Sequence, residues 1–269
     1  MEQLARDSPS DHPAVFDVLT AFVRGRVPAG TGKCADPSLH LGPSEHVSPN
    51  ASPSADVQAV VVAIARRDRK YDRKDQVLDL SHTCLVVAEC RHLQLLGVSL
   101  EGADLRQAVL AHADLHETNL WGANLAVADI LEANLAGANL GAADLTAVTL
   151  SRANLAGANL ASASLHGALL VADNLTKASL VDANLTGAYL SGSNLSGAFL
   201  QGADLTGADL GAVPGNPGIA AGDVGGGVAG ANLSGADLSG ANLSGIYYDA
   251  STQWPKGFQP PPSRPRRTG

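Results

Sequence analysis

From residue 80 to residue 210 a leucine stands at every fifth position, interrupted only by Cys90 and Ile130. A five-residue period fits neither an amphipathic helix, which repeats about every 3.6 residues, nor a half-buried strand, which alternates. Within each unit the spacing is nonetheless that of extended chain. Ala103 and Leu105, Ala138 and Leu140, and Ala203 and Leu205 are two apart and share a face, so Asp104, Asn139 and Asp204 between them face outward. Repetition at a fixed step predicts a stacked fold in which each unit buries its apolar face only against its neighbours.

Disorder, collagen and a long helix all fail to account for the pattern. A disordered chain has no reason to hold leucine in one phase over this length, and so much leucine is too much apolar surface to leave in water. Collagen needs glycine at every third place, which is absent. On a long surface helix a five-residue step spreads the leucines around the cylinder.

The flanks differ in kind. Residues 1–30 predict a helical segment, with Ser10 or Asp11 ahead of Pro13 as the start and Val15, Phe16, Val18, Leu19, Phe22 and Val23 as its apolar set. Residues 31–55 are rich in Pro and Ser and read as a linker. In 56–77, Asp56 caps a second helix whose Val57, Val60, Val61 and Ile64 share a face, and this helix covers the first edge of the repeat. The repeat occupies 78–210. A Gly/Pro-rich insertion follows at 211–227, then a final coil at 228–246 with its leucines in shifted phase. Residues 247–269 hold Tyr248, Trp254 and Phe258 as a C-terminal cap, and end in a basic tail.

The units EGADL at 101–105, WGANL at 121–125, AGANL at 136–140 and TGADL at 206–210 follow one rule: small residue, Asp or Asn, Leu, polar residue, Gly. In this the chain resembles the pentapeptide-repeat family over residues 78 to 245. The resemblance implies an all-β solenoid, a right-handed four-sided parallel β-helix with four pentapeptides per coil, preceded here by short helical segments. Leu80, Leu85, Leu95, Leu100 and Leu105 and those that follow then face inward, together with Ala103, Ala113, Ala123, Ala133 and Ala138. Cys90 and Ile130 replace leucine, and Leu78, Leu93 and Val98 enlarge the first coils. Asp173, at a small inward position, is expected to mark a bulge or a distorted coil.

With twenty residues per coil, residues twenty apart become neighbours about 4.8 Å apart. Leu80, Leu100, Leu120 and their successors to Leu200 form an inner column. Outside, Asn134, Asn154, Asn174 and Asn194 form a polar ladder. His92, His112 and Glu132 stack in another column. They are the one metal-like grouping in the sequence, yet two histidines and a carboxylate facing solvent read as ordinary surface residues, so no metal and no cofactor are expected. Cys34, Cys84 and Cys90 form no CxxC pair and suggest a reducing compartment rather than a disulfide framework, with Cys84 facing outward.

Net charge is −8, and residues 78–210 carry thirteen Asp and Glu against four Lys and Arg. An acidic rod does not bind nucleic acid by neutralising phosphates. It can occupy a basic surface on another protein, and the resemblance supplies a precedent: some family members mimic DNA and protect DNA gyrase from quinolones. On that reading the outward carboxylates are Asp104, Asp114, Asp129, Asp144, Asp204 and Asp209. Members of that kind tend to dimerise through a C-terminal aromatic module, which here is only the stretch from Tyr247 to Phe258. Val109, Leu169 and Tyr189 in one outward column, with Phe199 on another wall near the same end, form a candidate apolar patch for a protein partner or for self-association. No nucleophile stands with a base, and no Walker loop or dinucleotide fingerprint occurs. There is no leader-like run at Met1 and no apolar stretch of transmembrane length. The sequence therefore predicts a non-enzymatic cytoplasmic scaffold with a protein partner, the DNA-mimic role being the alternative. Whether the chain self-associates stays open.

Overall fold

The computed structural model describes residues 12–26, 55–74, 76–212 and 229–265. Nearly all of the expected linker, most of the insertion and the end of the basic tail lie outside the described residues. Helix α1 spans His12–Arg26 and helix α2 spans Ala55–Ala65. In α1, Pro13 falls in the first turn, where its missing N–H costs nothing. Phe16, Leu19 and Val23 are buried, three and four residues apart on one stripe. Val18 and Phe22, expected on the same face, point outward instead, Val18 being 61% exposed.

Helix α2 buries Val57, Val61 and Ile64, with Val60 partly covered. Asp56 lies inside its first turn and accepts from the Val57 amide (3.1 Å). Just past the helix, Arg67 satisfies three groups at once. Nη1 donates to the Ile64 carbonyl (3.0 Å), Nη2 to the Leu96 carbonyl (2.8 Å) and Nε to Asp72 Oδ2 (3.0 Å). One buried guanidinium thus ties the helical cap to the start of the repeat. Strands β1 (Leu78–Asp79) and β2 (Val98–Ser99) then pair in parallel, Leu78 opposite Val98.

Every further pairing up to Leu210 repeats that twenty-residue register. Asp104 bridges Asn124, Asn124 bridges Asp144, and so on, with a bridge at every fifth residue. Outward residues therefore fall into four columns, and twenty residues make one rung. Within a rung the chain bends after each leucine. Leu105 donates to the Asn124 carbonyl of the next rung (2.7 Å), the Asn124 amide donates back to Ala103 (2.9 Å), and Ala108 donates to Leu105 across the bend (3.0 Å). The leucines and alanines between are buried essentially completely.

The bend places the second residue after each leucine in the left-handed region. Glycine fills this place from Gly187 to Gly207, as conformational freedom favours. Upstream, residues as unsuited as Val87 (φ 57°) and Val127 (φ 60°) occupy it.

Asp173 leaves the register intact, since Asn154, Asn174 and Asn194 keep their pairing around it, but it distorts its own turn, where the Asp173 amide donates to Ser193 Oγ and not to the Leu170 carbonyl. Its carboxylate is buried and Oδ1 accepts from the Ala153 amide (2.8 Å), while Oδ2 has no hydrogen-bond partner among the described residues. The shifted phase after Leu210 also has a simple geometry. Asn194 bridges Asn232, 38 residues on, so 18 residues are added to one rung; the columns stay in step through Tyr247, and Asn232 then pairs Gln253 after 21 residues. Asp249 Oδ2 accepts from the Ala212 amide and Ser251 Oγ from the Gly230 amide, both at 2.7 Å, which holds the departing and returning chain. Tyr248, Trp254 and Phe258 pack together against the last rung, with ring centroids 5.2 and 5.4 Å apart.

The cysteines require a correction. Cys90 is a free inward thiol, pushed up to about 12 chiefly by burial. Cys84 is buried and is disulfide-bonded. The bond counts against the expected reducing compartment, and the burial against an outward Cys84, because sequence spacing says nothing of which thiols the chain path brings together.

Candidate functional site

Backbone turns, before any partner, explain the outward Asp and Asn. Each bend leaves an amide two residues past the outward position, and a short side-chain oxygen can accept from it. Asn124 does so for Ala126 (3.1 Å) and Asn154 for Ala156 (3.3 Å). The six candidate carboxylates serve the same purpose. Asp104, Asp114, Asp129, Asp144, Asp204 and Asp209 accept from the amides of Arg106, His116, Leu131, Thr146, Thr206 and Gly211.

They do not gather on one face. Asp104, Asp144 and Asp204 share a column, Asp129 and Asp209 a second, and Asp114 stands in a third. Asp104 is further engaged by the Arg106 guanidinium, with Nη2 at 2.7 Å from Oδ2. Desolvation opposes ionisation of Asp114, but hydrogen bonds from His116 and Asn134 outweigh it and hold its carboxyl below the usual range. Asp204 is held low as well, chiefly by the Thr206 hydroxyl and amide.

Two amide ladders run beside these carboxylates. Asn174 donates to Asn154 (3.0 Å), Asn154 to Asn134 (3.1 Å), and Asn134 to Asp114 Oδ1 (2.9 Å). The second ladder, Asn159 to Asn139 (2.9 Å) to Asn119 (3.2 Å), was not expected, although the same twenty-residue step contains it. Such ladders use most of the polar capacity of their columns in holding the rungs together.

The column from Glu89 to Tyr247 is built differently. It reads Glu89, Val109, Asp129, Thr149, Leu169, Tyr189, Asp209, Tyr247 and contains no Asn. Leu169 and Tyr189 are direct neighbours in it, 38% and 48% exposed. Val109 stands three rungs away, beyond Asp129 and Thr149. Phe199 is not in this column. It lies between Ser179 and Asp237, separated along the chain by the column of Asn174 and Asn194. The four apolar candidates therefore do not form one continuous patch. Beside Leu169 and Tyr189 the bend residues alternate in size, in the order Leu131, Ser151, Val171 and Ser191, and both serines are buried.

His92 and His112 stack face to face, with centroids 4.7 Å apart and planes 5° from parallel. His112 Nδ1 lies 3.2 Å from Glu132 Oε2, and Arg152 Nη2 lies 2.9 Å from Glu132 Oε1. Arg152, which was not expected at this corner, lies one more twenty-residue step along and completes the column. Among the described residues no group of three His, Cys, Asp or Glu is arranged to hold a metal ion. No described helix is long and apolar enough to cross a membrane.

No curated protein matches the chain. Among solved structures, a pentapeptide repeat protein involved in heterocyst differentiation regulation in the cyanobacterium Nostoc sp. strain PCC 7120 is 29% identical. The match covers 64% of this chain and 86% of that one, with a TM-score of 0.26. A second Nostoc PCC 7120 pentapeptide repeat protein is 36% identical, over 41% of this chain and 77% of its own, with a TM-score of 0.34. One from the Arabidopsis thaliana thylakoid lumen is 30% identical, over 42% and 68%, with a TM-score of 0.30. The family model for pentapeptide repeats matches residues 94–130, 108–146, 133–170, 174–211 and 229–246, and the chain belongs to the pentapeptide-repeat family.

Proposed function

We propose that this chain is a non-enzymatic protein-binding scaffold, built as a right-handed four-sided β-helix, and that it engages a partner through the Leu169–Tyr189 column. The four-sided reading is supported by four outward columns in a twenty-residue register. The function rests on one observation. Leu169 and Tyr189 replace turn-capping Asn or Asp at adjacent rungs and stand exposed, so they forgo a local hydrogen bond without joining the core. Thr149 and Asp209 flank them in the column, Val109 lies apart beyond Asp129, and Phe199 offers a separate contact on another column. The test is affinity capture with the natural chain and with the L169N/Y189N variant, whose new side chains restore the local acceptor. A partner retained by the first and lost by the second supports the proposal. Equal retention by both sinks it.

The alternative draws on the acidity of residues 78–210, in which the six Asp candidates would act as a DNA-like surface toward gyrase. Their division among three columns and their use in turns count against it. Supercoiling assays at low and high salt decide: protection or inhibition that fades with salt supports the alternative, and no effect at low salt removes it. Cytoplasmic location belongs to the proposal too, and the bonded Cys84 opposes it, because disulfides are rare in reducing compartments. Alkylation of Cys84 in intact cells supports a reducing location, and resistance to alkylation until reduction refutes it.

A further inference from the structure

Charge divides the chain along its length. Residues 66–75 hold six Arg and Lys against three Asp, whereas residues 78–210 hold four Arg and Lys against thirteen Asp and Glu. The basic stretch leads from α2 to the first rung and lies against α1. Gln76 Nε2 donates to the Pro13 carbonyl and to Asp17 Oδ1, both at 2.9 Å, and Arg73 Nη1 lies 3.3 Å from Asp17 Oδ2. Farther along α1, Arg24 pairs with Asp79 of the first rung. The outward faces of α1 and of residues 66–77 are thereby held side by side at one end of the rod.

Of the six cations only Arg67 is buried. Arg69, Lys70 and Arg73 reach Asp72, Asp68 and Asp17, but pairs whose cation is open to water contribute little and exchange readily. Arg66 and Lys74 are exposed and have no ion-pair partner among the described residues. Apolar side chains stand exposed at the same end. Val77, the residue after Gln76, is 62% exposed, and Val18, the residue after Asp17, is turned away from the α1 stripe that packs on the core. Two large apolar groups and five cations thus share one end of a body that is otherwise acidic.

We propose that this end of the rod binds the surface of an anionic lipid bilayer. Val18 and Val77 enter the boundary between headgroups and acyl chains, while Arg66, Arg69, Lys70, Arg73 and Lys74 meet lipid phosphates. The two chemistries together select the occupant. A bilayer presents dense negative charge and an apolar phase within about 10 Å of each other. Nucleic acid offers the charge but leaves Val18 and Val77 in water. The acidic rod of a second copy offers carboxylates that its own turns engage, such as Asp144 and Asp204. Anionic lipids also repel residues 78–210, so the rod stands away from the membrane and leaves the Leu169–Tyr189 column free.

The test is sedimentation of the full chain with vesicles of phosphatidylcholine alone and of phosphatidylcholine with an equal part of phosphatidylglycerol. We expect binding to the anionic vesicles only, reduced about tenfold or more by R66E/K74E and about fivefold by V18Q/V77Q. A second readout needs no variant: hydrogen exchange of the vesicle-bound natural chain slows in α1 and residues 66–77 and not in the later rungs. No binding to anionic vesicles at low salt, equal binding by R66E/K74E, or slowing confined to the later rungs overturns the proposal. So does binding that V18Q/V77Q leaves unchanged, and duplex DNA bound where vesicles are not would assign the cations to nucleic acid instead. The L169N/Y189N variant separates this site from the column: it should bind vesicles as the natural chain does, and loss of binding overturns their independence.

Discussion

The Ser193 hydroxyl is inserted between the Asp173 amide and the Leu170 carbonyl. The Asp173 amide donates to Ser193 Oγ (3.2 Å), and Oγ donates to Leu170. In the preceding rung, Ala153 donates directly to Leu150 across the same bend (2.8 Å). A hydroxyl from the next rung thus satisfies a turn that the buried carboxyl would otherwise disturb.

Asp173 itself remains costly. Desolvation raises its pKa well above the ordinary carboxyl value, beyond what amide hydrogen bonds to its carboxylate offset. A raised folded-state value means that the stabilising contribution is complete below the unfolded value, about 3.9, and is lost as pH rises through the folded value. D173A restores the repeat's small residue and removes that loss. It is expected to raise stability at neutral pH by about 1–3 kcal/mol, with the advantage shrinking toward pH about 4. Thermal denaturation of both proteins across pH checks this, and an advantage independent of pH contradicts it.

Val127 holds a β-branched side chain at φ 60°. Left-handed backbone costs such a residue about 1–2 kcal/mol, of which glycine recovers part and returns part through unfolded-chain entropy. V127G is expected to stabilise by about 0.5–1 kcal/mol, readable as an increased denaturation midpoint with unchanged slope.

Asn154 has three tasks: it donates to Asn134, accepts from Asn174, and accepts from the Ala156 amide. N154A removes all three and is expected to cost about 1–3 kcal/mol. N154D keeps both acceptor roles and should cost less. Urea denaturation of the two variants tests the order, and equal losses would show that the two acceptor bonds retained in N154D contribute nothing.

Arg67 joins α2 to the first rung through Ile64, Leu96 and Asp72. R67A leaves the Leu96 carbonyl without its donor, the Ile64 carbonyl with only the Arg67 backbone amide, and Asp72 without this counter-charge, and is expected to cost about 3–5 kcal/mol. R67K retains charge but cannot reach three acceptors in a planar fork, so only partial recovery is expected. Hydrogen exchange should show the loss first in α2 and the Leu78–Val98 pairing rather than in the later rungs.

The columns of leucine, alanine and asparagine were legible because a strict period converts sequence distance directly into stacking. Once residues twenty apart are neighbours, Leu80 and Leu100, Asn134 and Asn154, and His92 and His112 follow by arithmetic. The outer function was less legible, since Asp and Asn at the same place serve the same turn whether or not a partner exists. That Phe199 stands on another column than Tyr189 also followed from the twenty-residue step; what the bridges added is that the column of Asn174 and Asn194 separates the two, so no continuous patch joins them.

By itself, then, the five-residue period determined the inward face, the register and the regular ladders, because these depend on nearest-neighbour stacking alone. The tertiary structure decided what depends on long-range closure: the addition of 18 residues to one rung with the columns kept in step from Asn232 to Tyr247, the hydroxyl that Ser193 lends to the turn at Asp173, and the cap held by Arg67. No local pattern encodes these, because each depends on which groups the distant chain brings within hydrogen-bonding reach.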